Sequence, residues 1–320
     1  MPKYWLISDR DGQGTGPRRN DSGLTFWVSD GGPLDKITNW HNLSASEFQT
    51  LLKAATDQFP PDKGEDQRHL TILIHGFNNK FTSATEFYQD LCGRLFEGPA
   101  SLGLCILYDW PLIDERYARA SGEALADVLS GFLDWVPRKE PTVFTEACRA
   151  KLSVIAHGAG NAVLKKAMSV TWNTKYQPVL VNWVSELLMV AADVESDLFD
   201  VGTPGYGEGI GILNLSRRIT VLYSGRDAGL LSFGLSDSSR GRLGRSGLMN
   251  RPPVVNQPPL VDNVWDIDCS SFFPSSVPST DIYGAYFLTD GVLHLMREIL
   301  RGVDRGVLDI LGYTRGTAWP

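Results

Sequence analysis

Residues 151–168 read Lys151-Leu152-Ser153-Val154-Ile155-Ala156-His157-Gly158-Ala159-Gly160-Asn161-Ala162-Val163-Leu164-Lys165-Lys166-Ala167-Met168. The apolar run over 152–156 predicts a buried strand. The small residues after it predict a sharp turn, and the apolar spacing beyond predicts a helix starting near Asn161. Strand, tight turn and helix in this order form a nucleophile elbow, written G-x-S-x-G, which lifts one Ser hydroxyl above a sheet. The position that should carry that Ser is Gly158. The turn is intact, and it presents no side chain. A dinucleotide-binding loop is the competing reading of Gly158-x-Gly160. It fails because the third glycine is missing and no acidic residue ends the next strand about 20 residues on; Asp193 is too distant.

Outward from the elbow the chain alternates between two patterns. Strands are predicted over 4–8, 24–28, 69–74, 104–108, 187–191, 219–223 and 264–267, as β-rich or continuous apolar runs. Between them lie amphipathic stretches. Ser44-Ala45-Ser46-Glu47 is a capping box ahead of Phe48, Leu51, Leu52 and Ala55. Ser83-Ala84-Thr85-Glu86 reads as a second box, opening a helix through Phe87, Leu91 and Leu95. A helix over 118–135 carries Leu125, Val128, Leu129, Phe132 and Leu133 on one face, and a last helix covers 290–300. Such a pattern builds a parallel sheet covered on both faces. The glycines Gly12, Gly14 and Gly16 imitate a phosphate cradle, but Pro17 and two arginines follow where a helix should start, so a flexible loop is expected. The Gly/Pro/Ser-rich stretch 232–260 reads as an excursion over the surface, and its arginines, Arg240, Arg242, Arg245 and Arg251, as a solvated cluster.

Composition narrows the classes further. The 320 residues are 42% hydrophobic, enough for a large core, with a net charge of −7 that argues against nucleic acid or an anionic membrane as partner. The four cysteines (Cys92, Cys105, Cys148 and Cys269) lack C-x-x-C spacing, which argues against zinc. No metal and no cofactor is expected. No apolar run reaches the ~18 residues of a membrane span, and the first residues do not read as a signal peptide, so a cytoplasmic protein is expected.

In a parallel sheet, functional groups collect at the carboxyl ends of the strands. His75-Gly76-Phe77-Asn78 ends one of them. A His-Gly turn there offers the Phe77 N–H to an oxyanion, together with the Ala159 N–H just past the elbow. His75, Gly76, Asn78 and His157 would line the same pocket. Asp227, in Tyr223-Ser224-Gly225-Arg226-Asp227, stands where a triad acid belongs, with Asp193 one strand earlier as rival. A general-base His is expected between the last strand and the last helix, yet 280–287 holds none. His41 and His69 precede this chemistry and His75 belongs to the oxyanion turn. His157 points away from position 158 by strand alternation, and His294 is placed on the surface of the last helix.

These segments together resemble the bacterial α/β-hydrolases of unknown function once grouped as a virulence-factor family. The likeness spans nearly the whole chain. It includes Leu73-Ile74-His75-Gly76-Phe77-Asn78, Ile106-Leu107-Tyr108-Asp109-Trp110-Pro111, Ile155-Ala156-His157-Gly158-Ala159-Gly160-Asn161, Ala191-Ala192-Asp193-Val194, Gly225-Arg226-Asp227 and Ala285-Tyr286-Phe287. The resemblance implies an α/β-hydrolase fold: a mostly parallel central sheet with helices on both faces, in one domain over 1–320. Relatives read A-H-S-x-G-N at the elbow and carry a late His in an H-S/G-x-Y-F context. This chain has Gly158 for the Ser and, in the best register, Tyr283 for the His.

Removing triad members costs about a million-fold in rate. A phenol of ordinary pKa near 10 is also a poor base at neutral pH. Three readings follow: a pseudo-hydrolase binding a small molecule in its residual pocket or a partner protein; a cofactor-free lyase or isomerase using Tyr283 with Asp193 or Asp227; and a serine esterase disabled by substitution. The short connection over 111–119 suggests an open pocket.

Overall fold

The computed structural model describes residues 1–10, 23–62, 64–76, 80–112, 114–133, 150–175, 182–230, 240–249 and 263–315. One nine-stranded sheet runs through them in the order β3-β2-β1-β5-β4-β6-β7-β8-β9. Its strands are β1 (Tyr4–Ser8), β2 (Thr25–Ser29), β3 (His41–Leu43), β4 (His69–Ile74), β5 (Gly103–Asp109), β6 (Lys151–His157), β7 (Val184–Val190), β8 (Ser216–Tyr223) and β9 (Val264–Asp268). Pairing is parallel across the sheet from β1 to β5, β4, β6, β7, β8 and β9; at the other edge β2 alone runs against the rest, antiparallel to both β1 and β3. The elbow strand β6 therefore stands in the middle of the seven parallel strands, flanked by β4 and β7.

Strand alternation divides the core in two. Ile72, Ile74, Val154, Ala156, Leu187 and Met189 face one side. There they meet α1 (Ala45–Thr56), α3 (Glu115–Leu133), α4 (Gly160–Lys175) and α5 (Tyr206–Leu215). Leu73, Ile155, Leu188 and Leu222 face the other side, against α2 (Phe81–Leu91) and α6 (Asp290–Arg301). Burying both faces removes enough apolar surface to hold strands this hydrophobic in place, since each large side chain contributes ~1.5–3 kcal/mol.

Local signals settle most of the helix ends. Ser44 Oγ accepts the Glu47 N–H at 3.3 Å and Glu47 Oε2 accepts the Ser44 N–H at 2.8 Å, the reciprocal box expected of that sequence. The second box does not form. α2 begins earlier, at Phe81, with Lys80 as an N-cap that makes no side-chain bond. Phe81 is buried in the core, and the Thr85 hydroxyl is spent on the carbonyls of Phe81 and Thr82, so Ser83 sits inside the first turn. α2 then passes directly into a π-helical turn, Cys92–Phe96. His294 is half-buried against the Tyr313 ring, 5.4 Å between centroids, rather than free on the surface.

Of the 232–260 stretch, residues 240–249 are described. Among them Arg242, Leu243, Gly244 and Leu248 are buried while Met249 is exposed. A Cβ at Gly244 would collide with the backbone of Ala191 and Ala192, so only glycine lets this segment close over the end of β7. The glycine loop at 12–16, Cys148, Arg251 and the predicted helix end at Trp135 lie outside the described residues.

Candidate functional site

The carboxyl ends of β4, β6, β7 and β8 converge on the elbow. Gly158 follows β6 with φ at +49°, in the left-handed region, where a residue with a Cβ carries ~1–2 kcal/mol of strain. The turn is fastened from several directions. The Gly158 N–H donates to Val190 O at 2.9 Å, and Gly158 O accepts the Asn161 N–H and the Asp193 N–H, both at 3.1 Å. Asn161 Nδ2 adds bonds to Ala156 O and Gly158 O, both 3.0 Å. Asn161 thus closes the turn as a staple, with α4 already begun at Gly160.

The space above Gly158 is filled. A Cβ added there would collide with the phenol oxygen of Tyr283, which arrives from a short helical turn, Ile282–Ala285. That hydroxyl accepts the Ala159 N–H at 3.3 Å and donates to Gly76 O at 2.6 Å. The phenol therefore holds one of the two N–H groups expected to stabilise an oxyanion. Burial first, with the Asp193 and Asp227 carboxylates adding to it, pushes the Tyr283 pKa well up, so the group stays protonated. Phe77 and Asn78, the other residues expected at the oxyanion turn, lie outside the described residues.

Gly76 explains the glycine of that turn: a Cβ there would run into the His157 carbonyl. His75 is buried one residue before, and its Nε2 lies 3.2 Å from both Asp109 Oδ1 and the Trp110 nitrogen. Trp110 Nε1 donates to His75 O at 2.7 Å. Asp109 also accepts Arg10 Nε at 2.8 Å and Ser8 Oγ at 3.1 Å. Burial works against its charge, but the His75 bond and the Arg10 guanidinium outweigh it and hold the carboxyl below its usual range. A buried charged cluster thus anchors the β4 turn, and Arg10 was not singled out from sequence.

The two candidate acids sit in different environments. Asp193 is ion-paired with Arg242, both buried. Asp227 Oδ1 accepts the Leu230 N–H at 3.2 Å, while its Oδ2 is buried with no partner among the described residues. Burial raises the Asp227 pKa to about 6. Asp227 also neighbours Tyr283: a Cβ at Gly229 would stand 3.1 Å from Tyr283 Cβ and 3.2 Å from Asp227 Oδ1. The three described arginines of the cluster are taken up by these loops rather than solvated. Arg240 pairs with Glu195 and Asp197, Arg242 with Asp193, and Arg245 donates to Asp227 O at 2.7 Å. The four-arginine run was a visible signal, but its partners lie 18 to 49 residues away.

Other features lie apart from the elbow. A cleft of about 360 Å³, lined by Glu65, Arg68, Arg297 and Arg301 among others, lies at the amino ends of β4 and β5. Among the described residues no group of three or more His, Cys, Asp or Glu is placed to hold a metal ion. Among them, too, no helix is long and apolar enough to cross a membrane.

Residues 53–257, more than half of the chain, match the family described as Alpha/beta hydrolase of unknown function (DUF900). The matched segment contains the elbow, Asp193 and Asp227, and it ends before Tyr283. No curated protein and no solved structure gives a match. With the parallel sheet, the elbow and this match together, the chain belongs to the α/β-hydrolase family of unknown function.

Proposed function

We propose that this protein is a non-hydrolytic member of its family, a pseudo-hydrolase that acts by binding a small molecule or a partner rather than by turnover. The observation that carries this reading is the overlap between the Tyr283 hydroxyl and the space a side chain at position 158 needs. The nucleophile position offers no reactive atom, and the group at the histidine position occupies the site of attack. A ligand reaches the elbow only by displacing that phenol from the Ala159 N–H and Gly76 O. Asp227, with one carboxylate oxygen unpartnered beside Tyr283, is the better candidate for the acid position; Asp193 already has its counter-ion in Arg242. The lyase or isomerase reading is weaker. It asks a buried phenol with a raised pKa to exchange a proton, and Tyr283 is engaged on both its donor and acceptor sides. Dispersed thiols, free at Cys92, Cys105 and Cys269, suit the cytoplasm.

The test is hydrolysis of short-chain activated esters by four proteins: wild type, Gly158→Ser, Tyr283→His and the double variant. Wild type is expected to be silent. Gly158→Ser alone is expected to lose ~1–3 kcal/mol of stability through overpacking against Tyr283 and to stay inactive. Activity confined to the double variant would mean that two side chains silence an otherwise poised centre. Turnover by wild type, abolished by Tyr283→Phe, would overturn the proposal in favour of chemistry at the phenol.

A further inference from the structure

His157 closes β6, one residue before the elbow, and the site chemistry above does not use it. It is buried, and its Nε2 lies 2.9 Å from the carbonyl oxygen of Tyr283, 126 residues along the chain. A carbonyl only accepts, so the imidazole proton sits on Nε2. The His157 and Tyr283 rings lie 4.4 Å apart. On its other side His157 meets Phe287 edge-on at 5.2 Å and Phe87 at 6.3 Å, and those two rings pack against each other at 4.8 Å. Residue 283 is thus tied to the elbow twice. Its hydroxyl bonds Ala159 and Gly76, and its backbone bonds His157.

We propose that His157 is a positioning residue: its Nε2–H holds the backbone of residue 283 at a set distance from the elbow, and so decides where that residue's side chain stands over Gly158. The proposal rests on the closed-centre reading and adds the device that keeps the centre closed. The short turn 282–285 is a single turn of helix bonded back to Asp281, with Ile282, Tyr283 and Ala285 buried, and its hydrogen bond to His157 adds a backbone tie to the elbow strand. Burial keeps the imidazole neutral, with its pKa lowered to about 3, so the tether persists across the physiological range. The same backbone bond would present a histidine at 283 to the elbow as it now presents the phenol, because it involves no atom of the 283 side chain.

Amide hydrogen exchange at Ala159 reads the tether, with the Ile155 and Leu188 amides in the adjoining strands as the reference for global opening. Tyr283→Phe removes the acceptor and is expected to speed Ala159 exchange about tenfold relative to the reference. His157→Phe keeps an aromatic of similar shape but loses the donor, and is expected to speed it as much. His157→Gln, which keeps a donor at similar reach, is expected to return it to within about twofold. If His157→Phe does not fold, His157→Asn, whose amide falls short of the carbonyl, is read in its place. Faster exchange in Tyr283→Phe but not in His157→Phe would overturn the positioning role alone. No change in Tyr283→Phe itself would overturn the closed-centre reading and the tether with it.

Discussion

Asp193 and Asp227 leave the sheet at the ends of neighbouring strands, and both are buried, at 1% and 0% exposure. Asp193 has a guanidinium against it; Asp227 has one oxygen on a backbone N–H and, among the described residues, no partner on the other. Burial without a partner disfavours a carboxylate's charge: Arg242 stands against Asp193, whereas at Asp227 burial raises the pKa. The contrast assigns Asp193 to the architecture of the 240–249 segment. It leaves Asp227 as the group whose protonation is still open.

The largest effect is expected from Arg242→Met, which takes the buried guanidinium away from the buried Asp193 carboxylate and should cost ~3–5 kcal/mol of unfolding free energy in urea titration. Adding Asp193→Asn should recover most of that loss; a single-variant cost below ~1 kcal/mol would remove the distinction between the two acids. Next comes Asp227→Asn. With the folded pKa raised to about 6 from the ordinary 3.8, the folded state binds this proton more tightly than the unfolded chain. Its contribution to stability therefore falls as pH rises from about 4 to 6. Asn should thus stabilise the protein by up to ~3 kcal/mol at pH 8, with the gain disappearing below about pH 4. Thermal melts across that range check the sign. Smallest is Arg245→Ala, expected to cost ~1 kcal/mol through the bond to Asp227 O. Because its charge also favours the Asp227 carboxylate, the pH dependence traced by the melts should move upward.

Much of the molecule was legible in the sequence. The eight strands predicted from apolar runs all form, and the elbow turns where the small residues require it. Strand β3 and helix α5 were not foreseen. The three residues of β3 give no periodicity, and α5 is too uniformly apolar and glycine-rich to show a face. The failed capping box at Ser83 has a plain cause: a buried Phe81 two residues earlier outweighs a cap worth ~1 kcal/mol. The arginine run at 240–251 was read as solvated because charge clusters in Gly/Ser-rich stretches usually are. Only the path of the chain brings Arg242 under β7.

The site divides along the same line. That position 158 has no nucleophile and that 280–287 has no histidine are properties of the covalent chain, needing no coordinates. So is the order of strands and helices, because periods of two and 3.6 residues report directly which faces are buried. What fills the space at Gly158, which acid is paired, and what His157 holds are contacts between residues 49 to 126 positions apart. Periodicity carries no information about such pairs. They exist only once sheet register and loop paths have brought the strand ends together, and that was decided by the tertiary structure.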